Sequence, residues 1–170
     1  MTYNLHPIFV HFPIAFLLLY SIIKLLPFER WFPKTSWKQT YKILLVFGVI
    51  GSYVAMSTGE VAEDLLQPDK DLVGMHELFA GITTNLYLLL LIGELFPNIQ
   101  KLIAKIKIVP SIITKIIAWI EKIITHTFIV KLLALAGAIM LFLTGLLGGV
   151  LTHGVTADPI APFVLRVLGL

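Results

Sequence analysis

Leu5-His6-Pro7-Ile8-Phe9-Val10-His11-Phe12-Pro13-Ile14-Ala15 opens an apolar run that continues to Leu26 and holds only one charged residue, Lys24. A run of about 20 apolar residues, rising ~1.5 Å per residue, spans the roughly 30 Å hydrocarbon layer of a bilayer. Residues 43–59, 73–96 and 128–153 have the same character. The whole chain is 58% hydrophobic and only 14% charged, and the apolar residues come in blocks, where a soluble core helix would alternate them with polar ones. The reading is an all-α integral membrane four-helix bundle, one domain over 1–170, with spans at about 7–26, 43–59, 73–96 and 128–153.

The absence of cysteine excludes disulfides, thiolate metal sites and covalent haem attachment. Any metal is left to His, carboxylate, Met or backbone ligands. The first apolar run has no basic segment before it and no small-residue cleavage site after it, so it reads as a retained span and not a signal peptide.

Charge is split between the two ends of the spans. The segments after spans 1 and 3 carry 11 of the 13 basic residues, while the N-terminus, the link between spans 2 and 3, and the C-terminus carry only Lys70 and Arg166. The positive-inside rule then puts both termini outside the bacterial inner membrane. The basic residues suit topology and anionic lipid, and nothing points to nucleic acid.

Pro7 falls where a helix can begin without loss, with Asn4 or His6 as cap, and Pro13 lies inside span 1, where it removes one backbone hydrogen bond. His6 and His11 are separated by roughly 140° of helical rotation, so both cannot point at the bundle axis; His11, the deeper, is taken as the inward one. Trp31, Trp37, Phe28 and Phe32 among lysines read as an interfacial belt. Residues 98–127 intersperse lysines with isoleucines at helical intervals around Pro110, which predicts two short amphipathic interfacial helices and not a fifth span. The apolar tail after Val155 is too short to span; it lies along the interface or folds back over the bundle.

His6 and His11 begin span 1, His76 begins span 3 and His153 ends span 4, so all four fall at the outer face, with Glu60, Glu77 and several glycines at similar depth. Histidines at such positions in a membrane protein point to function. Three accounts are open. Two histidines from different helices are the axial ligands of haem b, with Gly51, Gly81, Gly145, Gly148 and Gly149 clearing its slot. Alternatively, His11, His76, His153 and His6 with Glu60 or Glu77 hold a Cu, Zn or Fe ion. In the third account, the histidines cap and cross-link helices in a structural membrane subunit without a cofactor.

The His6-Pro7 and Val10-His11-Phe12-Pro13-Ile14-Ala15 opening, Thr58-Gly59, His76 and Thr152-His153-Gly154 resemble a bacterial family of four-span membrane proteins of uncharacterised activity. The layout of that family is similar to small b-type membrane cytochromes. The resemblance implies a histidine site at the outer face, and the long insertion 98–127 departs from the compact pattern. The expectation is a b-type haem protein moving electrons between a membrane donor, a quinol, and an acceptor protein outside, with His11 and His76 as first axial pair and His153 and His6 as substitutes or supporting donors. Whether the chain forms a homo-oligomer, and whether it is an enzyme, stay open.

Overall fold

A computed structural model describes residues 3–103 and 111–170. The described residues are helical with no strand: α1 (His6–Leu25), α2 (Phe28–Trp31), α3 (Trp37–Leu66), α4 (Lys70–Ile103), α5 (Ser111–Ile124), α6 (Thr127–His153) and α7 (Ala161–Leu168), with a 3-10 turn at Val155–Ala157. Four of these, α1, α3, α4 and α6, are long and apolar enough to cross a membrane, as the hydropathy blocks predict. Leu18, Leu19, Phe47, Ile50 and Phe142 stand exposed on their outer faces, which only an apolar solvent makes inexpensive.

The bundle is cyclic. α1 packs chiefly on α3, α3 on α4, α4 on α6 and α6 on α1, so α1 and α4 lie diagonally opposite. Three polar pairs join that diagonal: His6 with His76 at one end, Ser21 with Tyr87 in the body, and Lys24 with Glu94 at the other end. The bundle therefore has a histidine end and a lysine-rich end.

Local chemistry sets the helix limits. Asn4 Oδ1 accepts the His6 N–H at 3.1 Å, and Pro7 occupies the first turn, where its missing N–H leaves nothing unsatisfied. α3 stops where Gln67 adopts a left-handed backbone, φ 48°. Asp69 then caps α4, its Oδ1 accepting the Leu72 N–H at 2.9 Å. Only residues 67–69 separate the two helices. At ~1.5 Å per residue α3 and α4 reach roughly 45 and 50 Å, longer than the hydrocarbon layer, so Glu60, Glu63 and Asp64 ride on a helix that projects past it.

One expectation for residues 98–127 is corrected, and the other falls partly outside the described residues. α4 does not stop at Phe96-Pro97; it runs through Pro97 to Ile103. A proline forfeits one helical hydrogen bond and crowds the carbonyl four residues back, and a helix packed against neighbours can continue past it with a bend. One amphipathic helix, α5, is described where two were expected, and the break at Pro110 lies outside the described residues. On α5 the exposed Ile112, Ile116, Trp119 and Ile123 share one face, the arrangement of a helix lying in a membrane interface. The C-terminal tail folds back: Ala161 and Leu165 of α7 are buried with Leu146, Leu147 and Val150 at the histidine end.

Tyr20, Tyr87, Leu17, Leu45 and Leu147 are fully enclosed. The Ser21 hydroxyl donates to the Ala134 carbonyl at 3.0 Å and accepts from the Tyr87 hydroxyl at 2.7 Å, so one small side chain ties α1 to both α4 and α6. Ser21→Ala leaves the enclosed Tyr87 hydroxyl without that acceptor, and the expected loss is about 1–3 kcal/mol. Thermal unfolding in detergent reads it, and Ser21→Ala/Tyr87→Phe is expected to be less destabilised than Ser21→Ala alone.

Candidate functional site

At the histidine end the imidazoles of His6 and His76 meet across the bundle diagonal, with ring centroids 6.5 Å apart and planes at 86°. Each is anchored through the same nitrogen. His6 Nδ1 lies 2.9 Å from the Ala55 carbonyl and 3.2 Å from Thr58 Oγ1 on α3; His76 Nδ1 lies 3.0 Å from the Thr144 carbonyl on α6. A carbonyl only accepts, so Nδ1 carries the proton in both rings and Nε2 is left with its lone pair. A histidine that binds a metal has its other ring nitrogen tied to a carbonyl in this way.

The anchors depend on small residues. A Cβ placed on Gly59 would come within 3.4 Å of His6 Cε1, and one on Gly148 within 3.2 Å of His76 Cε1, so these glycines give the rings room against α3 and α6. Thr144 donates its own hydroxyl to the Met140 carbonyl at 2.8 Å, so it is the Thr144 carbonyl that holds His76. The half-buried rings therefore sit in fixed orientations with one free nitrogen each.

The partner of His76 is His6. His11, expected as the inward ring, is on the exposed face of α1, and its Nδ1 bonds the Pro7 carbonyl of its own helix. His153 is exposed at the end of α6, sharing a 2.6 Å hydrogen bond with the Thr152 hydroxyl. Glu60 and Glu77 are exposed. Among the described residues no group of three or more His, Asp or Glu side chains is placed to hold a metal ion. Of the glycines expected to clear a slot, Gly51 instead receives Pro13, whose Cδ is 3.1 Å from a Cβ built there, while Gly81, Gly145 and Gly149 have no neighbour within 4 Å of theirs.

Comparison with protein-family models, curated proteins and solved structures finds no match. The account of this site therefore rests on its own geometry. Thr58, Gly59 and Gly148 stand out in the sequence as a hydroxyl, a motif glycine and a slot glycine and lie beside the two rings, whereas Thr144, whose carbonyl holds His76, has no such signal. Glu94 as the counter-charge of Lys24, 3.4 Å away and largely enclosed, also has no place in the sequence reading. Glu94 stands inside an apolar block, and an acidic residue there is itself a signal of a partner.

Proposed function

We propose that the chain is a b-type haem-binding membrane protein with His6 and His76 as the axial pair, transferring electrons at the outer face of the bacterial inner membrane. The observation that carries this is the meeting of two imidazoles from different helices at one end of the bundle, each with Nδ1 held by a backbone carbonyl and Nε2 free.

The polypeptide supplies binding and orientation. The Ala55 and Thr144 carbonyls fix the tautomer and raise the basicity of the free nitrogens. Haem b, when bound, supplies a one-electron iron couple. The concentration of lysine and arginine at the far end supports an orientation with the histidine end outside, where an electron donor such as a quinol and an acceptor protein would be reached. Among the described residues the two histidines stand without a third ligand, a set that suits haem, whose macrocycle would provide the other four nitrogens, better than a bare Cu, Zn or Fe ion.

The test is cofactor stoichiometry. Protein expressed with haem precursor and purified in detergent is expected to carry one haem b per chain by pyridine haemochrome assay. A preparation free of haem but with one zinc or copper per chain would replace this reading with the metal site.

A further inference from the structure

The lysine-rich end holds a cavity of about 760 Å3 that the histidine site does not use. Its wall is apolar where Ile23, Leu90 and Val130 contribute and basic at the rim, where Arg30, Lys38 and Lys131 are exposed. Among the described residues these three cations have no ion pair, whereas Lys24, deeper in, is held by Glu94 at 3.4 Å and lies 3.9 Å over the Tyr41 ring. Glu29 is turned to the Tyr41 hydroxyl at 2.8 Å. Four cations thus face two carboxylates, both of which are engaged.

A second observation lies at the floor. Tyr20 lines the cavity and is completely buried, and among the described residues its hydroxyl has no hydrogen-bond partner. A buried hydroxyl is normally satisfied, so an orphan beside a cavity calls for a partner from it, an ordered water or a ligand oxygen. Tyr20 lies five residues before the end of α1, or roughly 7 Å below the rim at ~1.5 Å per residue.

We propose that this cavity binds the headgroup of an anionic phospholipid, with the phosphate at Arg30, Lys38 and Lys131 and an ester or glycerol oxygen reaching toward the Tyr20 hydroxyl. Two polar demands at different depths, separated by an apolar wall, match a phosphate joined through glycerol to acyl esters. A free phosphate would satisfy only the rim. Basic pockets between membrane helices take such headgroups, and the acyl chains continue into the lipid outside the bundle.

Trp37 lines the cavity and gives the readout. In a Trp31→Phe/Trp119→Phe background, where Trp37 is the one remaining tryptophan, brominated phosphatidylglycerol and brominated phosphatidylcholine are titrated into the detergent-purified full chain. The expected result is half-maximal quenching by phosphatidylglycerol at about tenfold lower concentration, a preference that Arg30→Gln/Lys38→Gln/Lys131→Gln reduces to about twofold or less. Lys38→Gln and Lys131→Gln singly, each expected to lose part of the preference, serve if the triple variant does not fold. Tyr20→Phe is expected to weaken the lipid severalfold while keeping the preference. Equal quenching by both lipids, or a preference untouched by the rim substitutions, would overturn the proposal. So would displacement of the lipid by soluble glycerol phosphate at matching concentration, which would make this a phosphate site, or a Tyr20→Phe protein that binds as tightly as the parent.

Discussion

His6→Ala and His76→Ala are each expected to lower haem per chain by at least about tenfold, since even the partners that orient a metal-binding histidine are commonly worth 10–100-fold in affinity. His11→Ala and His153→Ala are expected to keep haem near the parent level, because those rings are exposed and bonded to their own helix end. The pyridine haemochrome assay on protein of matched elution profile checks all four. The contrast matters more than either loss. A three-histidine ion site predicts a deficit in His153→Ala as well, and a purely structural role predicts that folded yield falls with His6 and His76 while no cofactor is involved in any variant.

Gly48→Leu is expected to be the most damaging single change to the fold. A Cβ at Gly48 would fall 2.6 Å from Leu17 Cγ, and Leu17 is completely buried in the core shared by α1 and α3. Cγ is the branch point of that side chain, so relief requires the helices to separate. Overpacking a tight core costs about 1–3 kcal/mol and occasionally more, and this position belongs at the upper end. Gly81→Ala is the control: nothing lies within 4 Å of its Cβ, and alanine favours the helix by up to about 1 kcal/mol over glycine. Thermal unfolding in detergent is expected to place Gly48→Leu well below the parent and Gly81→Ala at or above it. Equal midpoints for Gly48→Leu and the parent would show that the α1–α3 contact is looser than described.

The four spans were legible because twenty apolar residues in a row have few other uses. Their facing was legible only in part. In α1 the buried residues Pro13, Leu17, Tyr20 and Ser21 define an inward face, and His6 lies seven residues before Pro13, two turns back on that same face. His11 lies two residues before Pro13, on the opposite side. The separation of His6 and His11 told correctly that only one could point inward, yet depth was a poor guide to which. The better signal was polar phase: His6, Tyr20, Ser21 and Lys24 on α1, and His76, Thr83, Tyr87 and Glu94 on α4, trace stripes that meet along the diagonal. In lipid the apolar residues surround a helix on all sides, and it is the polar ones that mark the interior. The run of α4 through Pro97 was not readable, since it depends on neighbours that hold the helix past the missing hydrogen bond.

The measurement that bears most directly on the central claim is the absorption spectrum of the detergent-purified protein, produced with haem precursor present, first air-oxidised and then reduced with dithionite. Two axial imidazoles from His6 and His76 predict a Soret band that shifts on reduction and sharp α and β bands in the reduced state. A colourless protein, or a reduced spectrum without resolved α and β bands, would contradict it.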